Sequence, residues 1–412
     1  MGVSTLPKNV DLSFAFGLKP ERAVDYMKSK GYTFSWRWEE TLGAAHARAF
    51  TVAKVARMDV LQDIRGMVEK SLEDGLTFEQ FKKQLEPGLR KKGWWGKQIA
   101  VNKKGVAEVV ELGSPRRLRT IYNQNLMTAY SAGREEFFQA NKEFRPYGMY
   151  VAVRDSKTRH THLALHGKVY PLDDDFWKWF TPPIDWGCRC RKRAVSRRYV
   201  DKNNITVLSS RGQIGKTDAL ISTRTGELRQ VTTVTLPGGQ KVSTGIGFDY
   251  NPATAAWQPN LDSYDWDIAA KYVEGTLTGP AFQRFYALDV ERGTFPVATL
   301  DPQTKSLLGA KTQHLKINKR YMGKQVTKHP EFVSSDYLKL QAYINNADLI
   351  VDQGKKGIVF VSEDKGLYYE VVVEFHKGKS SMAFRSLYEI RESQIQARRE
   401  GGRVLKDKLK RK

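Results

Sequence analysis

Four side chains in one short stretch have the types that hold a metal. His162 and His166 stand four residues apart, and Cys188 and Cys190, the only cysteines of the chain, follow about twenty residues later. Two imidazoles and two thiolates make the donor set of a tetrahedral zinc site. On a helix, residues four apart are neighbours on one face. The Cys-x-Cys spacing is tighter than the usual two-residue gap, while Arg189 and Arg191 would favour thiolates. Zinc is one reading. The other is that the histidines cap or pair locally and the cysteines are a small buried pair. No acyl-transfer constellation accompanies the thiols.

Between these pairs lie Phe176, Trp177, Trp179, Phe180 and Trp186. Aromatics so dense can stack nucleic-acid bases, but more often they fill a small domain that lacks other bulk, and core is the reading adopted. A second set, His314, His329 and His376, stands among Lys, Ser and Tyr near the C-terminus. A metal-independent ribonuclease needs a general base, a general acid and a cation for the phosphorane charge. Histidine serves the first two near neutrality; scattered surface histidines are the alternative. Gly215-Lys216-Thr217 does not complete a phosphate-binding loop, because Ser210 stands where the first glycine belongs.

The formal net charge is +23 and the pI about 9.7, which points to a polyanionic partner, nucleic acid or an acidic protein surface. Basic residues concentrate at Arg189, Arg191, Lys192, Arg193, Arg197 and Arg198, read as nucleic-acid contacts, and in the tail RREGGRVLKDKLKRK. No apolar run approaches the roughly 18 residues of a membrane span. The N-terminal twenty residues lack a leader pattern, and two cysteines do not make a secreted disulfide framework, so synthesis in a reducing cytoplasm is expected.

The elements that must position these residues read as α+β. Val60, Ile64, Met67, Val68 and Leu72 recur at helical spacing up to Gly75. Thr77 and Gln80 cap a second helix that should fail at Pro87-Gly88. Ser114-Pro115 opens a long helix carrying Leu118, Ile121, Leu126, Ala129 and Phe137. GMYVAVRD reads as a strand, a short helix then carries both histidines, and Gly167 ends it. VTTVTLPGGQKVSTG reads as a hairpin, GFDYNPATAAWQPN as a surface loop. Near the C-terminus, SSDYLKLQAYINNAD reads as a capped helix and GIVFVSED, LYYEVVVEFH and SSMAFRSLYEI as successive strands; the basic tail reads as helix or disorder.

From about Trp36 to Arg193 the chain resembles the phage Mu F-like head morphogenesis family, minor capsid proteins of tailed phages and prophages. The matching pieces are SWRWEE, HARAFTVAKVARMDVLQDIR, DGLTFEQF, KKGWWG and SPRRLRTIYNQNLMTAYSAGR. The most specific block has Arg159, His162, Gly167, Pro182, Pro183, Cys188, Arg189 and Cys190 in the pattern Arg-x-x-His…Gly…Pro-Pro…Cys-Arg-Cys. GFDYNPA resembles the segment that often follows. The resemblance implies a protein of the virion, in few copies near the portal, that works with portal and capsid proteins in head assembly or packaging and contacts phage DNA.

The segment from about His314 to Ile390 resembles, more weakly, nuclease-like domains of the barnase, EndoU, colicin E and RelE group, which are found fused to this family. That resemblance implies a helix packed on a twisted antiparallel sheet and a ribonuclease acting on host RNA, or a binding module without catalysis. His329 is the first choice for acid or base and His314 the second, with Arg385, Ser386 and Tyr388 lining a phosphate site. The expected divisions are a helical region at 1–145, a Mu F-like core at 146–205, an irregular β region at 206–305 and the nuclease-like unit with its basic tail at 306–412.

Overall fold

The computed structural model describes residues 21–101, 107–223, 226–257, 260–289, 294–376 and 378–409; the reading of the N-terminal twenty residues lies outside them. The chain forms two compact units, one from residues up to 28, 34–43 and 51–257, the other from 29–33, 44–50 and 258–412. As expected, the fold is α+β, with helices toward the N-terminus and a large, mainly antiparallel sheet at the C-terminus. Among the described residues no helix is long and apolar enough to cross a membrane.

Helix α1 (Glu21–Lys28) is followed by two short strands, β1 (Gly31–Tyr32) and β2 (Ala49–Phe50), which pair in parallel within the second unit. In the first unit, α2 (Met58–Asp74) buries Val60, Leu61, Ile64, Val68 and Leu72 and closes on Gly75 at φ 65°, a left-handed position that suits glycine. Thr77 and Gln80 form the capping box of α3 (Phe78–Lys91). That helix does not fail at Pro87. It continues for another turn because Leu85 and Leu89 are both buried, and core packing outweighs the roughly 3 kcal/mol that an interior proline costs. The hairpin of β3 (Lys97–Val101) and β4 (Ala107–Glu111) was not expected from the Trp-Trp turn.

Helix α4 (Pro115–Ala140) starts on the Ser114 cap with proline in its first turn. Phe137, expected on its apolar face, is exposed instead. At Gly133 the helix meets α1 so closely that an added Cβ would lie 3.0 Å from the Ala23 backbone nitrogen. Strand β5 (Tyr147–Val151) is central in a small antiparallel sheet. Helix α5 (His160–Leu165), β6 (Val169–Pro171), α6 (Phe176–Trp179), β7 (Arg191–Val195) and α7 (Arg197–Lys202) follow, and the sheet order is β6-β5-β7. A second sheet holds β8 (Ile214–Leu220), β9 (Leu228–Thr235) and β10 (Lys241–Ser243), the last two joined by the expected Pro237-Gly238-Gly239 turn. Gly215-Lys216-Thr217 lies inside β8, so it is strand and not a loop.

The aromatic block is core. Tyr170 stacks on Phe176 at 4.0 Å, Phe180 stacks on Phe176 at 5.0 Å, and Trp177 meets Phe176 edge-on. They pack with Ile184, Cys188, Cys190, Val234, Leu236 and Val242. Burying each large side chain contributes about 1.5–3 kcal/mol. Trp179 is half-buried, and Trp186 sits at the edge against Trp38 and Phe248. GFDYNPATAAWQPN is not simply a loop: its middle forms α8 (Pro252–Trp257). Buried Asn251 accepts from the Ala253 and Thr254 amides and donates to Trp177 O and Thr181 Oγ1, which fixes that helix to the aromatic block.

The second unit continues through α9 (Trp266–Leu277), α10 (Pro280–Tyr286), β11 (Thr294–Thr299), α11 (Pro302–Leu308), β12 (His314–Asn318), α12 (Lys319–Lys328), α13 (Leu340–Asn345), β13 (Leu349–Asp352), β14 (Ile358–Asp364), β15 (Leu367–His376), β16 (Ser381–Ile390), α14 (Ile395–Glu400) and β17 (Arg403–Asp407). The seven strands run β11-β12-β16-β15-β14-β13-β17, antiparallel except for β12 and β16. SSDYLKLQAYINNAD splits into a 3₁₀ turn at Ser334–Lys339 and the short α13. The basic tail is helical only over its first residues, Arg398, Arg399 and Glu400, at the end of α14; Arg403–Asp407 is a strand instead, which pairs with β13 and closes that edge of the sheet. Beside the end of β16 the strand neighbour is replaced by a side chain. The Gln325 amide of α12 donates to Leu387 O at 2.5 Å and accepts from Leu387 N at 3.1 Å.

Candidate functional site

Three of the four predicted metal ligands converge. His162 Nδ1 lies 3.6 Å from Cys188 Sγ and 3.5 Å from Cys190 Sγ, and all three side chains are buried. His166 is not in this group. Helix α5 stops at Leu165, so His166 leaves the helical path, and its Nδ1 accepts the Ala152 N–H at 3.1 Å.

The rest of the block builds the frame. Arg159 precedes α5; it donates to Trp186 O at 2.9 Å and pairs with Asp185 at 3.2 Å. Arg189, between the cysteines, turns outward and holds Asp155 with both guanidinium nitrogens at 2.7 and 2.5 Å. That pairing keeps the Asp155 carboxyl well below its usual pKa. Helix α5 and the Cys-Arg-Cys segment are thus tied together from both sides. Cys188 is pushed well below the ordinary thiol pKa by the hydrogen bond from Cys190 and by His162, and Cys190 is pushed up by the same sharing and by burial.

Tyr150 of β5 is a member of the site that residue spacing did not single out. Its ring is fully buried, and its hydroxyl faces both cysteine sulfurs. Burial raises its pKa well above the usual value.

The predicted nucleic-acid contacts separate by strand alternation. Arg191 and Arg193 on β7 are exposed, as are Arg197 and Arg198 on α7. Arg193 lies over the Tyr199 ring at 4.9 Å and Arg197 over Tyr147 at 5.9 Å. Lys192 is a correction: alternate β7 residues point inward, and Lys192 is buried against Glu135.

In the C-terminal unit, His329 caps the end of α12 and stacks on Tyr388 with centroids 5.4 Å apart; its Nδ1 lies 3.3 Å from Glu331. The Tyr388 hydroxyl donates to Glu370, which pairs with Arg398 of α14 at 2.5 Å. Glu370 and Arg398 were not foreseen, since they are distant in sequence and meet only through strand register. Arg385 points to another cluster, 3.8 Å from Glu374, which also accepts from Tyr321. Ser386 is buried in the sheet.

His314 does not join His329. Its Nδ1 lies 3.1 Å from Asp262 and 3.0 Å from Thr312, and burial lowers its pKa. The next residue, Leu315, is registered with Met382, and Tyr388 lies several residues further along the same strand. At about 3.3 Å per residue that separation approaches 20 Å, so the two histidines cannot serve one phosphate.

Residues 62–193 match the family model described as Phage Mu protein F like protein, the likeness that the Arg-x-x-His…Cys-Arg-Cys block indicated. The chain is 45% identical over 253 residues to the putative capsid assembly protein F of Escherichia phage Mu, covering 61% of this chain and 58% of that protein. It is 44% identical over 226 residues to the Mu-like prophage FluMu F protein of Haemophilus influenzae, covering 54% of each. The chain thus aligns with little more than half the length of these relatives. No solved structure matches the chain.

Proposed function

We propose that the protein acts in phage head assembly as a minor head protein, made in the bacterial host cytoplasm and carried in the virion near the portal. The observation that carries this reading is the Mu F-like region, aligned with a protein named for capsid assembly in phage Mu. Its partners on this reading are portal and capsid proteins and the phage DNA, which the exposed Arg191, Arg193, Arg197 and Arg198 would meet during packaging. The test is deletion of the gene in the phage or prophage that carries it. Heads should accumulate empty or malformed after deletion; normal infectious, DNA-filled particles would overturn the reading.

A second reading concerns the C-terminal unit: a metal-independent ribonuclease directed at host RNA. The observation that favours it is the grouping of His329, Tyr388, Glu370 and Arg398. His329 would move the proton, Arg398 would meet phosphate charge, and buried Glu370 would position the Tyr388 hydroxyl. The full chain and its His329→Ala variant are incubated with total RNA and tRNA in the presence of chelator. Cleavage lost in the variant supports catalysis. Absent or equal cleavage leaves this unit as a binding module.

A further inference from the structure

We propose that His162, Cys188 and Cys190 hold one divalent zinc-class ion in a closed structural site, with the Tyr150 hydroxyl as the fourth group. Two sulfurs lie 3.6 and 3.5 Å from the same imidazole nitrogen. A neutral ring nitrogen has one lone pair and accepts one S–H. Hydrogen bonding therefore satisfies one sulfur at that atom, and the other must bond elsewhere. A cation among the three satisfies them all. With zinc–nitrogen near 2.0–2.1 Å and zinc–sulfur near 2.3 Å, a tetrahedron places N and S roughly 3.5 Å apart. The three ligand atoms lie within 4.8 Å of one another, so the ion needs no rearrangement of the backbone.

The second observation is independent of the cysteine spacing. Tyr150 comes from β5, is fully buried, and turns its hydroxyl toward both sulfurs. The ion is a Lewis acid for the hydroxyl oxygen, which would fill the fourth position and close the coordination sphere against water. Because every donor is buried, the ion has no open position for substrate, and its role is to fasten α5 to the Cys-Arg-Cys segment. The Arg159–Asp185 and Arg189–Asp155 pairs already hold the same two segments, which pre-forms the site. Two thiolates and an imidazole select zinc over magnesium or calcium, which take oxygen ligands.

The experiment uses the full chain without a polyhistidine tag, purified under reducing conditions without chelator. Elemental analysis should give about one zinc per chain, and Co²⁺ added to stripped protein should produce a tetrahedral visible spectrum with thiolate-to-cobalt charge transfer. Both cysteines should react slowly with a thiol reagent until a strong chelator is added. His162→Ala, Cys188→Ser and Cys190→Ser should lose the ion, while His166→Ala should keep it. Should those ligand variants fail to fold, the Co²⁺ spectrum and thiol protection of the parent chain decide. Tyr150→Phe should keep the ion and shift the cobalt bands; unchanged bands would remove Tyr150 from the site. Stripped, reduced chain that takes up no Zn²⁺ or Co²⁺ overturns the proposal. So does a Cys188–Cys190 disulfide in freshly isolated protein.

Discussion

The Lys192 ammonium lies 2.9 and 2.8 Å from the two carboxylate oxygens of Glu135, and both side chains are almost wholly shut off from water. The ammonium also faces the Trp177 ring at 4.4 Å. Burial lowers its pKa, against the pull of Glu135. The pair joins α4 to the small sheet of the Mu F-like region. Removing one partner strands a charge in the interior, so Lys192→Met should cost about 3–5 kcal/mol. Glu135→Leu combined with Lys192→Met should recover most of that loss. Denaturant unfolding of the single and double variants measures both; a single variant as stable as the parent contradicts the buried pair.

Close approach makes a second prediction. Gly148 of β5 has no room for a side chain: an added Cβ would lie 2.6 Å from Trp177 Cζ2 and 2.9 Å from Lys192 Cε. Neither neighbour is free to withdraw, since Trp177 is buried in the aromatic block and Lys192 is held by Glu135. Gly148→Ala should therefore destabilise the chain by about 1–3 kcal/mol through overpacking. A thermal melt checks it, and an unchanged Tm would show that the strand yields instead.

These two features mark what the sequence could and could not reveal. The lysine stood in a basic run, and type alone reads every member of such a run as solvent-facing. Only the period of two along β7 shows that Lys192 points inward while Arg191 and Arg193 point out. His162, Cys188 and Cys190 were legible because few residue types bind metals. Tyr150 was not, since a tyrosine in a strand carries no signature until its hydroxyl is seen facing the two sulfurs. Thr77, Gln80 and Gly75 set helix ends locally and were read correctly, whereas Pro87 was misread because buried Leu85 and Leu89 act through tertiary packing. Likewise Glu370 and Arg398 meet Tyr388 only through long-range register.

Gln325 offers a third test. Its amide stands in for a strand partner of Leu387, both as donor and as acceptor. Gln325→Ala leaves one buried N–H and one buried C=O without partners, at about 1–3 kcal/mol each. Gln325→Glu keeps the acceptor and loses the donor, so its loss should include a buried carboxylate near neutral pH and ease on acidification. Unfolding of the three chains at two pH values resolves this. Equal stability of all three contradicts a bridging role.

His314 gives a pH dependence with a definite sign. Burial holds its pKa below the ordinary 6.5, although Asp262 opposes that shift. A base whose folded pKa is depressed binds fewer protons when folded. Stability is then fully present above the unfolded value and falls as pH drops below 6.5 toward the folded pKa. Below the folded pKa this contribution changes no further. His314→Gln should flatten the fall in Tm between neutral and mildly acidic pH. An identical pH profile in parent and variant would assign the acid sensitivity to other groups.

The proposed DNA contact of the exposed arginines makes the last prediction, and its sign and size follow from counterion release. Each phosphate neutralised by a cation steepens the fall of log K with log salt by about 0.9 on duplex DNA. Arg191, Arg193, Arg197 and Arg198 are exposed on neighbouring elements, whereas Arg189 is engaged by Asp155 and Lys192 by Glu135. Replacing the four exposed arginines singly by alanine should weaken binding to any duplex sequence alike and lower the slope by about one each. Arg189→Ala should change the slope less, because its charge is already met by a carboxylate. Fluorescence anisotropy with a labelled duplex across a salt series measures every slope. A parent chain whose affinity does not depend on salt would contradict phosphate contact altogether, and four variants with unaltered slopes would remove these arginines from it.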